Sequence, residues 1–140
     1  MLSGQVLLWV LLGGAVGAVL RWAADRAGAR WSPRFPELGV LAANVVASFL
    51  LGWVLGGELL LSDRALAAGE GFAAPLRGGR HWLVGAGLAG ALSTFSSAVV
   101  QIARRLLAGH RVVAGGLFLA TWLLCAGAAR VGAWVAVGGL

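Results

Sequence analysis

The sequence predicts an all-α membrane protein of four transmembrane helices, the third of them broken. Three observations carry that expectation. Of 140 residues, 60% are hydrophobic and only 11% charged, where a soluble domain carries roughly 25% charged; the mean hydropathy is +0.90. The charges cluster and leave four uncharged windows, 1–20, 38–57, 82–103 and 112–129, each of 18 to 22 residues. A hydrocarbon core of about 30 Å needs roughly 20 residues of helix to cross, and in lipid a single segment can satisfy its backbone only as a helix. Allowing for flanking residues, the spans fall at about 2–24, 38–57, 82–103 and 112–135, within a single domain covering 1–140.

The first window lacks the basic start of a signal peptide and is too long for its apolar region, so it reads as a span. Gly13 and Gly17 stand at the small-xxx-small spacing that lets helices approach closely. Arg21 closes the span. It can snorkel to headgroups or cap a polar vestibule, and position alone favours neither. Pro33 and Pro36 mark the connection to span two.

Span two carries Asn44, with Ser48 one turn later. An amide offers two donors and an acceptor, which can serve a helix–helix hydrogen bond or a ligand. Ala43 with Ala47, and Gly52 with Gly56, repeat the small-residue spacing. The segment from Glu58 to His81, with Pro75, is the longest connection.

Span three holds the most unusual stretch, Gly85 to Ser97 (GAGLAGALSTFSS). Gly85, Gly87 and Gly90 weaken the helix, and Ser93, Thr94, Ser96 and Ser97 surround Phe95 with hydroxyls. A helix breaks at membrane depth only where protein or water meets the freed groups. Freed carbonyls suit a cation; freed N–H groups, hydroxyls and the electropositive edge of an aromatic ring suit an anion. A Ser/Thr-rich packing face is the plainer alternative. A tight turn, 104–111, leads to span four, where Cys125 is alone, so no disulfide forms within one chain. Arg130 reads as a boundary or interhelical residue. Most of the seven tryptophans lie near span ends, as interfacial aromatics do.

Several function classes recede. The uncharged windows contain no Asp or Glu, which disfavours proton-coupled export. No HExxH, Ser-His-Asp set or metal-ligand cluster is present, so an enzyme is not expected. The net charge of +6 sits in short loops, which disfavours nucleic acid, and all eleven basic residues are Arg, a pattern that fits compositional bias. His81 and His110 lie just outside the windows, where boundary residues are ordinary.

Three motifs in order then resemble those of the CrcB/Fluc-type fluoride channels of bacterial membranes. The first is Gly13 to Arg21 (GGAVGAVLR), matching GGxxGAxxR. The second is Asn44 followed by Ser48, Phe49 and Gly52. The third is the glycine-rich run ending Ser93-Thr94-Phe95-Ser96-Ser97-Ala98, against a family TTFSTF. The resemblance implies an antiparallel dimer of inverted subunits in the cell membrane, with two narrow pores along the interface. It further implies fluoride passing Asn44, Phe95, Ser96 and Ser97, with Arg21 at the family's arginine position. A structural Na+ at the dimer centre is implied too, held by backbone carbonyls at Gly90 and Ser93. Fluoride is strongly hydrated, so its pore must replace water with many weak donors from which the ion can still leave.

Two positions depart from the pattern: the family's second Phe is Ala98 here, and a common acidic residue is Gln101. Loop charge adds an independent sign. The side joining spans one–two and three–four carries Arg21, Arg26, Arg30, Arg34, Arg104, Arg105 and Arg111; the other carries Arg64, Arg77 and Arg80, plus Arg130 if counted. The positive-inside rule places the first side in the cytoplasm and both termini outside. A one-way insertion and an incomplete Phe pair both lead to one half of a heterodimer, paired with an inverted relative. A small multidrug-type exporter and a non-conducting membrane scaffold subunit are the rival readings.

Overall fold

The computed structural model describes residues 4–68 and 79–138, with side chains at 61, 62 and 64–66 outside that description. Much of the predicted connection between spans two and three, including Pro75 and Arg77, therefore lies outside the described residues, as does the side chain of Arg64. Among the described residues all regular structure is helical. Helix α1 is Gly4–Trp31 and α2 is Leu38–Ala67. Helix α3 begins as a π-helical segment, His81–Ala89, and ends in one α-helical turn, Gly90–Leu92. After a break at Ser93 and Thr94 comes α4, Phe95–Leu107, and then α5, Arg111–Ala136. Four candidate spans result: Gly4–Trp31, Leu38–Leu60, His81–Leu107 and Arg111–Ala136.

The helices outrun the uncharged windows because hydrogen bonding and helix-forming Arg, Ala and Leu carry the backbone past the apolar zone. At 1.5 Å per residue, the 28 residues of α1 reach about 42 Å. Helix α1 stops before Pro33, whose ring disfavours helical geometry in the residue ahead of it. Helix α4 stops at Gly109, which takes φ +82°. There Gly109 N–H donates to Leu106 and His110 N–H to Arg105, the paired closure of a glycine-terminated helix.

One expectation needs correction. Because α2 continues to Ala67, its candidate span includes Glu58. That side chain is only 6% exposed. His81, the first residue of α3, puts Nδ1 2.7 Å from Glu58 Oε1. A carboxylate thus lies within a span after all, near its end, beside a histidine that the sequence placed outside.

The core is thin and made of small residues. Ala43 and Ala47 of α2 meet Ala89 and Leu92 of α3. Glycine sets the helix spacing. A Cβ on Gly13 or Gly17 would strike the carbonyl oxygens of Leu83 or Leu88, and one on Gly52 or Gly132 those of Ala129 or Phe49. Backbone therefore packs on backbone between α1 and α3 and between α2 and α5. The large apolar side chains point outward instead: Leu8, Leu11, Leu12 and Val19 on α1, and Leu119, Trp122 and Leu123 on α5, are exposed. A face of that extent suits hydrocarbon or a second subunit rather than water.

One end of the bundle is clasped by an ion pair. Arg105 of α4 holds Glu37, just before α2, in a two-point contact: Nε to Oε1 at 2.6 Å and Nη2 to Oε2 at 3.1 Å. Arg105 Nη2 also donates to the Arg34 carbonyl at 2.8 Å. These hydrogen bonds from the guanidinium hold the Glu37 carboxyl below its usual range. The Glu58–His81 contact marks the opposite end.

Candidate functional site

The break in the third span falls at Ser93 and Thr94, after the glycines rather than among them. Gly85 and Gly87 are buried where helices approach closely, so they serve packing. What interrupts the helix is a hydrogen-bond exchange. Thr94 and Ser93 both adopt extended backbone. The Thr94 N–H, which a continuous α-helix would give to Gly90 O, goes to Asn44 Oδ1 at 2.7 Å. Asn44 Nδ2 returns a bond to the Thr94 carbonyl at 3.2 Å. The Ser97 N–H, due in the same way to Ser93 O, goes to Thr94 Oγ1 at 3.3 Å. Thr94 thus acts as the N-cap of α4.

This exchange tests the implied cation site. The carbonyls of Gly90 and Ser93 both lose their helical donors, and Gly90 O receives in return only the Ser93 hydroxyl at 3.5 Å. Both residues are exposed. Two released carbonyls on exposed residues are hard oxygen donors of the kind an alkali cation takes. The residues present fit the group, and one chain supplies only part of a shell.

Asn44 is 7% exposed, and its amide is engaged with Thr94. One amide N–H remains after the bond to Thr94 O, and Asn44 also lines a cavity of about 260 Å³. Phe95 lines the same cavity and is 76% exposed. Ser96 and Ser97 do not line it. They gather instead around Thr94 Oγ1, which donates to Ser97 Oγ at 3.1 Å and lies 3.3 Å from Ser96 Oγ. Arg21 belongs to neither group: it is half-buried on α1, away from the cavity lining. The structure brings Asn44 and Phe95 together, sets Ser96 and Ser97 beside them through Thr94, and leaves Arg21 apart.

Sequence reasoning missed the fourth wall. Phe118, Thr121, Trp122 and Cys125 of α5 also line the cavity, as does Ser48 of α2. Phe118 and Trp122 meet edge to face, with centroids 6.3 Å apart, so ring edges are present even though Ala98 brings none. The signal was available: Phe118, Thr121, Trp122 and Cys125 recur at three- and four-residue steps and share one helix face. A separate cavity of only about 10 Å³ is lined by Ala98, Gln101, Thr121 and Glu37, nearer the Arg105 end. Chemically the site offers hydroxyls, one spare amide N–H, ring edges and freed carbonyls, with no fixed charge in the main cavity. That lining holds no nucleophile–base pair.

Comparison with known proteins places the chain. Residues 8–133 match the family described as CrcB-like protein, Camphor Resistance (CrcB). The protein named fluoride-specific ion channel FluC 1 of Geobacillus kaustophilus is 43% identical over 64% of this chain, a match spanning 62% of that protein, less than two thirds of its length. FluC 1 of Frankia casuarinae is 38% identical over 92% of this chain and 94% of its own length. FluC 2 of Cutibacterium acnes is 36% identical over 97% of this chain and 95% of its own length. With the family matched along most of the sequence and such relatives nearly end to end, this chain belongs to the CrcB-like family.

Proposed function

We propose that this protein is a fluoride-specific ion channel subunit, a multi-pass protein of the bacterial plasma membrane that lets fluoride leave the cell passively. The observation that carries the reading is the break at Ser93 and Thr94: backbone groups released at membrane depth beside a cavity lined by Asn44, Thr94 and Phe95. A packing helix has no use for such a break. The relatives' names give the ion. As a channel the protein would not be an enzyme.

The cavity chemistry supports an anion that must shed water yet leave again. The Ser48 hydroxyl, the spare Asn44 N–H and the ring edges of Phe95, Phe118 and Trp122 line the cavity, and the Ser96 and Ser97 hydroxyls stand beside it through Thr94, giving many weak donors with no lysine to trap the ion. Arg21 stands outside this set and would act at most as a distant attractor. The carbonyls of Gly90 and Ser93 would hold a structural Na+ together with the same groups of a second subunit, and that ion would tie two breaks together.

The working unit would be an antiparallel dimer, and for this chain a heterodimer. Ala98 leaves one aromatic position empty, the arginine bias favours one orientation, and the numbered names FluC 1 and FluC 2 fit a second such subunit in one genome. The test is fluoride efflux from liposomes holding this chain alone, then with its relative from the same genome. Efflux only with the relative is the expected result, and Phe95→Ile should abolish it. Efflux from this chain alone would establish a homodimer. No fluoride efflux in either case, from folded and inserted protein, would overturn the channel reading.

A further inference from the structure

The Arg105 end of the bundle carries seven arginines (Arg21, Arg26, Arg30, Arg34, Arg104, Arg105 and Arg111) against two carboxylates, Asp25 and Glu37. Among the described residues the basic side chains within reach of a carboxylate are Arg105, on Glu37, and His81, on Glu58, so Arg26 and Arg30 have no carboxylate partner there. These two arginines belong to a continuous stripe. Leu8, Leu12, Val19, Trp22, Arg26 and Arg30 follow one another at three-, four- and seven-residue steps and therefore share one face of α1. Every member is exposed.

The stripe changes character where the bilayer does. From Gly4, the 18 residues to Trp22 rise about 27 Å at 1.5 Å each, close to the hydrocarbon thickness of about 30 Å. Its apolar part thus runs through hydrocarbon, Trp22 sits at the headgroup boundary, and Arg26 and Arg30 lie beyond it. The Arg26 guanidinium is 5.2 Å from the Trp22 ring centroid. Arg26, Ala27, Arg30 and Trp31 wall a surface hollow of about 440 Å³. Trp22 is 61% exposed and Trp31 84%.

We propose that this face of α1 is a binding site for one anionic phospholipid, its phosphate seated between Arg26 and Arg30 and an acyl chain lying along Val19, Leu12 and Leu8. The charge of the hollow selects an anion. Its continuity with an exposed apolar stripe selects one that carries a tail, rather than free phosphate. The inference rests on the membrane placement of α1 and not on which ion the protein conducts. Bound lipid would also hold this end at the more anionic leaflet, reinforcing the one-way insertion expected from the loop charges.

Native mass spectrometry of the full chain in detergent tests the site, using phosphatidylglycerol and phosphatidylcholine with matched acyl chains. The wild type should retain phosphatidylglycerol preferentially. Replacing Arg26 and Arg30 together by Gln should cut that preference about 25-fold, near fivefold for each arginine. The pair Arg104→Gln with Arg111→Gln, which removes equal charge from the same end, should leave it intact. Should the first double variant fail to fold, Arg30→Gln alone carries the test, with a drop of about fivefold. An unchanged preference, or equal loss in both double variants, overturns the site. Full displacement of the lipid by equimolar glycerol phosphate would also overturn it, since the tail would then contribute nothing. Fluoride efflux is not read in this experiment, so its failure and that of the channel reading are separate.

Discussion

Asn44 satisfies both backbone polar groups of Thr94, accepting its N–H at 2.7 Å and donating to its carbonyl at 3.2 Å across fifty positions of sequence. The clamp sits in the thin core and holds the broken helix open. Asn44→Ala would leave a buried donor and acceptor unmet, at a cost of about 2–4 kcal/mol, and would let the helix reclose toward Gly90. We expect at least tenfold slower fluoride efflux and a lower melting temperature in detergent. Asn44→Asp keeps the acceptor and should fall between. An Asn44→Ala protein with wild-type efflux would show that the clamp does not shape the pathway.

The clasp between Arg105 and Glu37 predicts a pH dependence of stability. The carboxyl is held below its usual range by hydrogen bonds from the guanidinium, so the folded state favours the ionised form more than the unfolded chain does. Its stabilisation is present above the ordinary glutamate value of about 4.3. It is lost as pH falls through the lower folded value. Melting temperature measured from pH 7 to pH 3 should therefore drop more in the wild type than in Glu37→Gln, and the two curves should converge at the acid end. Parallel curves would count against the clasp.

Glu58 and His81 meet at the other end, with Nδ1 2.7 Å from Oε1, yet neither His81 Nδ1 nor Glu58 Oε2 makes a hydrogen bond among the described residues. Removing His81 leaves the buried Glu58 side chain without its polar neighbour, which costs roughly 1–3 kcal/mol. His81→Ala and Glu58→Ala should each destabilise the protein, while the double variant should lose less than their sum. Strict additivity in thermal unfolding would mean the two groups do not interact.

Gly132 and Gly116 lie on the same helix and predict opposite outcomes. A side chain at Gly132 would collide with the Phe49 carbonyl, whereas one at Gly116 meets nothing within 4 Å. Gly132→Leu should separate α2 from α5 and yield little folded protein. Gly116→Ala should fold normally, with a small gain from helix propensity of up to about 1 kcal/mol. Yield and melting temperature after size-exclusion chromatography decide both.

Orientation can be read directly. A reporter fused to the C-terminus should signal the outside in nearly every copy, because seven arginines lie on the side of the one–two and three–four connections. Equal populations in both orientations would remove the charge argument for a heterodimer.

Composition and charge spacing by themselves determined that this chain crosses a membrane four times, since only a helix of about twenty residues closes its own hydrogen bonds in lipid. Local sequence also located the broken span, because the glycines and hydroxyls between Gly85 and Ser97 are adjacent in the chain. What it could not do was assign those glycines. Gly13 and Gly87 matter because two distant backbones meet there, and such meetings depend on how helices pack. The break itself was decided by Asn44, whose amide outcompetes the helical donor–acceptor pattern only once α2 lies against α3. The same holds for Glu58 with His81 and for the α5 wall of the cavity. Spans follow from the solvent that each segment must enter. The site follows from which polar groups the packed helices leave to satisfy one another, and that exists only in three dimensions.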